Sequence, residues 1–221
     1  VFPDFETGYR AVVEMLAHGV KPTVLDYGDE PESDGEATLF ISFEGFEAHA
    51  SAHWDQAKEI CGKFDGRPGD QNEVDRYWQT RHASAERYQR EILDSSVPSE
   101  VRRSRSNYRM EYLHVALPSS QVLEYRRRCQ RILSRRNIQV REWSVWGRAE
   151  WFSFLLVENG DTESQSSNNM ADAVDEVLRL AHSMGGTMDY NHGVGLKLAH
   201  LMPEELGTAY GVVQAIKNAL D

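Results

Sequence analysis

Apolar and polar positions along the 221 residues switch repeatedly between a helical and a strand period. Over residues 4–18, Tyr9, Val12, Val13 and Leu16 fall on one side of a helix that Asp4 or Thr7 can cap and Gly19 can stop. Residues 23–27 read as a short strand and residues 37–43, centred on Leu39-Phe40-Ile41, as a buried one, with an acidic loop 28–35 between them. Helical spacing returns over 46–64 through Ala50, Trp54, Ala57, Ile60 and Cys61. After the turn-rich Gly66-Arg67-Pro68-Gly69, a further helix runs from Tyr77 to about Leu93, followed by a polar, mobile loop or lid over 95–106. A strand over 108–117 and a helix over 121–136, with Val122, Leu123, Tyr125, Cys129, Ile132 and Leu133 on its apolar side, come next. Strands 138–145 and 150–158 form a hairpin at Trp146-Gly147-Arg148, and a helix over 171–184 buries Val174, Val177, Leu178 and Ala181. Two successive strand-and-helix groups of this kind predict an α+β fold that is ferredoxin-like, one continuous antiparallel sheet with helices packed on one face.

Composition agrees with a packed domain: 40% of residues are apolar and 27% charged. The net charge of −11 argues against nucleic-acid or anionic-membrane binding, which needs clustered positive charge. The one basic run, Arg126, Arg127, Arg128, Arg131, Arg135 and Arg136, reads as the solvated side of a helix. No apolar run is long enough to span a bilayer. The two cysteines, Cys61 and Cys129, form no disulfide framework, and two buried free thiols fit a reducing, cytoplasmic compartment. His49 and His53 have the spacing of a helical metal pair, but no His-Glu-x-x-His pattern accompanies them, and the acidic loop lacks calcium-loop spacing; no metal is expected.

The stretch that carries chemistry is Met184-Gly185-Gly186-Thr187-Met188-Asp189-Tyr190-Asn191-His192-Gly193-Val194-Gly195, between two helical segments. Gly185-Gly186 can take positive φ and reverse the chain, while Gly193 and Gly195 let the backbone approach something flat or bulky. His192 sits between them on a short tether, and histidine is the residue type suited to proton transfer at neutral pH. A lone histidine is more commonly structural, and the other seven, including His18, His114, His182 and His200, receive no functional assignment.

The loop resembles one in the C-terminal domain of FAD-linked oxidases of the vanillyl-alcohol oxidase type. There a Gly-Gly…His-Gly-Val-Gly segment projects catalytic or substrate-facing groups toward the flavin. Phe2-Pro3-Asp4-Phe5-Glu6-Thr7-Gly8, Leu201-Met202-Pro203-Glu204-Glu205-Leu206-Gly207 and Ala215-Ile216-Lys217-Asn218-Ala219-Leu220-Asp221 carry the same resemblance, which covers residues 1–221 and is nearest to the alkyldihydroxyacetone phosphate synthase-like flavoproteins. Tyr77-Trp78-x-x-Arg81 is similar to a Trp-Trp-x-x-Arg segment near the substrate cavity of such oxidases. The resemblance implies a substrate-binding cap domain, FAD held mainly by an N-terminal flavin domain before residue 1, a continuation past Asp221, a small-molecule substrate, and no turnover by this fragment alone. It leaves a homodimer open.

The implied site has His192 and Tyr190 as catalytic groups and His192, Gly193 and Gly195 against the cofactor. Arg81, Trp78, Arg109, Trp146, Phe152, Phe154 and Asn191 would hold the substrate, the aromatics as a wall and an arginine on an anionic end. The bland alternative for Trp78 and Arg81 is packing and a surface ion pair. The sequence also departs from the synthase-like pattern. Tyr190 and Asn191 stand where a histidine run is expected, and Trp151-Phe152-Ser153-Phe154 lacks the tyrosine of that strand, so Tyr190 is the phenol that can replace it from the loop. The competing reading is a ferredoxin-like ligand- or protein-binding module without flavin chemistry.

Overall fold

The computed structural model describes residues 1–29, 34–83, 86, 89, 108–159 and 169–220. Five strands form one sheet in the order β2-β1-β4-β5-β3, with every neighbouring pair antiparallel. They are β1 (Val24–Asp29), β2 (Ala37–Ser42), β3 (Tyr108–Ala116), β4 (Gln139–Trp146) and β5 (Trp151–Asn159). The helices are α1 (Phe5–Ala17), α2 (Glu47–Lys63), α3 (Gln71–Thr80), α4 (Ser119–Arg135), α5 (Asn169–Ser183), α6 (Gly195–Leu198), α7 (Met202–Leu206) and α8 (Tyr210–Leu220).

Local chemistry sets the helix ends. Asp4 caps α1 by accepting from the Thr7 backbone N–H at 2.8 Å, and Gly19 ends it with φ +79°. Helix α3 starts six residues before the expected Tyr77 because Asp70 caps it through Asn72 N at 2.9 Å. Its apolar residues are too sparse to announce a start by periodicity. The expected continuation to about Leu93 lies largely outside the described residues, and the polar loop 95–106 wholly so.

One face of the sheet is closed by α1, α4 and α5. Phe5, Tyr9, Val12 and Met15 of α1, Tyr125 and Cys129 of α4, and Val177 and Leu178 of α5 are buried against Tyr27, Trp143, Val145, Phe152, Phe154 and Leu156. Buried hydroxyls in this layer are satisfied: Tyr9 donates to Ala149 O at 2.9 Å and Tyr125 to Val177 O at 2.9 Å. Arg126 departs from the solvated side predicted for α4. Its guanidinium is buried against Phe5 and Trp143 and pairs with Asp29 at 2.6 Å. Its neighbours Arg127, Arg131 and Arg136 make exposed ion pairs as expected.

The opposite, open face lacks a full helical layer among the described residues, but it does carry a helix, and here the expectation of helices on one face only needs correction. Helix α3 crosses to this side: Tyr77 stacks on Phe40 at 4.1 Å and donates to Asp26 Oδ2 at 2.9 Å. The register sets a row of mostly small residues across this face, His114, Ser153, Ser144, Gly28 and Thr38. Larger groups flank the row, Tyr112, Leu155 and Glu142 on one side and Trp151, Trp146, Asp26 and Phe40 on the other.

The run β3–α4–β4–β5–α5 ends at the outer edge of β3. A ferredoxin-like unit would add another strand there. This chain makes a single antiparallel bridge, Ala116 with Thr187, and turns away into the glycine-flanked loop. Helices α6 and α7 then return to α5, held by Asp175–His200 at 2.7 Å, Glu205–His182 at 3.1 Å and the Glu204–Arg179 pair.

Candidate active site

The loop is stitched to β3 through its backbone before it presents His192. Gly185 leaves α5 with φ +81°, as its position after a helix predicts. Gly186 is needed for closeness: a Cβ there would lie 2.5 Å from Ala116 O and 2.7 Å from Leu117 Cδ2. Thr187 N then donates to Ala116 O at 2.8 Å and Tyr190 N to His114 O at 3.1 Å. Asp189 Oδ1 accepts from both Asn191 N and His192 N at 2.7 Å, a side-chain turn that lifts the next residues over the sheet.

Two loop side chains meet the open face. The Tyr190 ring stacks on Trp151 with centroids 5.2 Å apart, and its hydroxyl lies 3.0 Å from Ser153 Oγ. Ser153 Oγ is in turn 2.8 Å from His114 Nδ1. The result is a continuous chain of hydroxyl, hydroxyl and imidazole. His114 is 2% exposed, and its Nε2 has no hydrogen-bond partner among the described residues. The His192 ring sits 4.5 Å from that of His114, with its side chain 61% exposed and its Nδ1 3.9 Å from Asp189 Oδ2. Tyr112 and Trp146 complete the cluster at 4.5 and 5.5 Å from His114. Lys197 closes its outer side, reaching Glu111 at 2.6 Å and Tyr112 O at 3.4 Å.

Burial controls the protonation of this cluster. The His114 imidazole is pushed down to about 4, first by loss of water and then by the neighbouring His192, so it is neutral at pH 7. The Tyr190 phenol is pushed up by burial and stays protonated. Burial, followed by the Glu142 carboxylate, also raises Tyr112, whose hydroxyl donates to Glu142 Oε1 at 2.7 Å.

At the α3 end of the same face lies a cleft of about 500 Å³, lined among others by Asp26, Phe40, Tyr77, Glu142, Ser144 and Trp146. β1 and β3 are three strand spacings apart, roughly 14 Å, so this cleft and the His192 cluster occupy different ends of one surface.

The structure therefore brings His192, Tyr190 and Trp146 together. Asn191 is exposed in the turn and contributes its backbone N–H. Gly193 and Gly195 have φ of +73° and +50° with nothing within 4 Å of where a Cβ would be, so space is open beside both. Trp78 and Arg81 lie at the α3 end, the guanidinium stacked 5.0 Å from the Trp78 ring and 5.5 Å from Tyr77. Arg109 lies in β3 opposite Glu158, and its side chain is outside the described residues. Phe152 and Phe154 do not face the cluster. Both are 0% exposed and point into the helix-covered core, because they alternate with Ser153 on β5. Sequence reasoning passed over His114, Ser153, Tyr112, Asp26 and Glu142. The usable signal was alternation: Tyr112 and His114 interleave with Leu113 and Val115, which places them on the side away from the core.

A family model for FAD linked oxidases, C-terminal domain, matches residues 1–221, and no curated protein matches the chain significantly. The chain belongs to the FAD-linked oxidase C-terminal domain family. Proteins of this family bind FAD, mostly through their N-terminal domain. The residues here fit a flat cofactor. The open face carries stacked aromatic rings, a buried imidazole nitrogen without a partner among the described residues, and two exposed glycines beside open space. Among the described residues no helix is long and apolar enough to cross a membrane, no cluster of metal-ligating side chains occurs, and both cysteines are free.

Proposed function

We propose that this domain is the substrate-binding cap of an FAD-dependent oxidoreductase of the vanillyl-alcohol oxidase type, with the open sheet face as the substrate side of the active site. The observation that carries this reading is the Tyr190–Ser153–His114 chain lying directly beside His192. FAD, when bound, supplies the two-electron acceptor or a reactive ring nitrogen. Everything else falls to this chain's side chains.

Trp146, Trp151 and Tyr112 form the aromatic wall that holds a substrate flat and excludes water. His192 is the acid–base group. It is exposed to an incoming molecule, and the Asp189 carboxylate is on hand as counter-ion when its ring gains a proton. His114, kept neutral by burial, is a poor proton store. Its part is to fix Ser153, and through Ser153 the Tyr190 hydroxyl. Gly193 and Gly195 let the loop backbone come against the cofactor.

Within that type, the loop relates the domain to the alkyldihydroxyacetone phosphate synthase-like branch. Tyr190 supports this, because its hydroxyl reaches the strand on which that branch carries a phenol. Arg81 is a rim group in this reading. Its guanidinium is stacked on the Trp78 and Tyr77 rings, away from the His192 cluster.

The test is turnover by the full-length flavoprotein. Tyr190→Phe and His192→Ala should each lower kcat by about 10²- to 10⁴-fold while the visible flavin band is retained. Unchanged turnover in both variants would remove the loop from the mechanism.

A further inference from the structure

The sheet ends differently at its two edges. On β3 the outer carbonyls of His114 and Ala116 accept from Tyr190 N and Thr187 N. On β2 only the first outward position is taken among the described residues. Phe2 N donates to Ala37 O at 2.8 Å and Ala37 N to Phe2 O at 3.1 Å, an antiparallel bridge. Backbone direction alternates along a strand, so Leu39 and Ile41 turn their N–H and C=O outward as Ala37 does, while Ser42 turns inward and accepts from Thr23 N at 2.8 Å. Neither Leu39 nor Ile41 has an outward backbone partner among the described residues. The strand Ala37-Thr38-Leu39-Phe40-Ile41-Ser42 carries none of the lysines or prolines that blunt a solvent-facing edge.

The path of the chain at Phe2 decides what occupies this edge. Phe2 is buried, its ring edge-on to Tyr27 at 6.1 Å and so close to Gly66 that a Cβ there would meet it at 2.7 Å. Val1 faces the other way and exchanges both backbone hydrogen bonds with Arg67. Val1 N donates to Arg67 O at 2.8 Å, and Arg67 N donates to Val1 O at 2.9 Å. Val1 and Phe2 are therefore a fixed pair lying between β2 and Arg67. Because the Phe2–Ala37 bridge is antiparallel, the backbone leading into Val1 comes from the direction of Leu39 and Ile41.

We infer that the segment joining the family's N-terminal flavin domain to Val1 pairs antiparallel with β2 and adds a sixth strand to the five-stranded sheet. The register follows from the bridge. The first residue before Val1 stands opposite Leu39, the second opposite Phe40 and the third opposite Ile41. The first and third continue the ladder that Phe2 and Ala37 begin, and their side chains join Phe2 on the helix-covered side. The second shares the open face with Phe40 and Tyr77, so the joint between the two domains also walls the cleft of about 500 Å³ at the α3 end. A second copy of this chain pairing along β2 would have to displace that backbone from the path Phe2 sets. The inference rests on the family's N-terminal domain and not on the acid–base chemistry of the loop.

Hydrogen exchange of the full-length flavoprotein, resolved residue by residue by mass spectrometry, tests this. The Leu39 and Ile41 amides should exchange at least about 10²-fold more slowly than freely exposed amides. Weaker protection than that means a bare edge and overturns the inference. Protection that disappears when the protein is diluted from dimer to monomer assigns the edge to a second copy and overturns it too. Neither reading needs a variant. Leu39→Pro removes one outward N–H, a change that a bare edge tolerates. In the full-length protein it should speed proteolytic cleavage just upstream of Val1 by at least about tenfold, and unchanged cleavage overturns the pairing. The strand and the loop mechanism fail separately. Protected Leu39 and Ile41 amides in a protein whose His192→Ala and Tyr190→Phe variants keep full turnover sink the loop mechanism alone. Unprotected amides in a protein that loses turnover on those substitutions sink the strand alone.

Discussion

The two faces of the sheet are built from the same strands yet obey opposite rules. On β5, Phe152, Phe154 and Leu156 point toward α1, α4 and α5 and are 0% exposed. Ser153, between them in sequence, points the other way and is fully covered too, but by Tyr190 and His114 through hydrogen bonds. The helix side is closed mainly by shape and apolar contact. On the open side the same burial comes from hydrogen bonds between Tyr190, Ser153 and His114. The difference teaches that equal burial can arise from two kinds of contact, and only the second holds polar groups in a fixed order.

The sharpest way to break the comparison is to cut adjacent residues of β5. Phe152→Ala should lower stability to urea unfolding by about 3–5 kcal/mol, since it empties the aromatic layer between Trp143 and Tyr125. Ser153→Ala, one residue along, should change stability by about 1 kcal/mol and act mainly on kcat. Equal losses in stability would mean that the open face is simply a second core.

The next largest effect is on pH. The native His114 sits near 4, below its unfolded value of about 6.5, so the unfolded chain takes up a proton that the native one refuses. Stability should therefore be fully present above about pH 6.5 and fall by up to about 3 kcal/mol as pH drops toward 4. His114→Gln should flatten that part of the curve, which urea unfolding at several pH values would show.

The smallest effects separate two glycines of the loop. Gly186→Ala drives a methyl group into the Ala116 carbonyl and should cost about 2 kcal/mol and loosen Tyr190. Gly193→Ala meets no atom and strains only its φ of +73°, about 1 kcal/mol. Thermal unfolding of the two variants side by side gives the order.

Much of this architecture could be read from residue patterns. The period of two in 108–117, 138–145 and 150–158 and the stripes of α1, α4 and α5 led to an antiparallel sheet with a helical layer. What escaped was whatever depended on a distant partner. Arg126 looked like one of a solvated arginine run, and only the fold puts it beside Asp29, Phe5 and Trp143. Phe152 and Phe154 were expected in a substrate wall because they sit in the right strand. Assigning the two sides of that strand requires knowing that α4 covers one of them. His192 and Tyr190 stood out through their glycines, which are local. His114 did not, because its meaning comes from Ser153 and the loop, 39 residues away and beyond.

The loop has a second duty at the margin of the sheet. The carbonyls of Tyr112, His114 and Ala116 all face outward from β3, and Lys197 Nζ, Tyr190 N and Thr187 N each take one of them. An exposed strand margin invites another chain to zip onto it, and a covering loop with a lysine is a common guard against that. The segment that carries the imidazole and the phenol thus also keeps neighbouring molecules from polymerising through β3. Shortening it to simplify the chemistry would leave a sticky border behind.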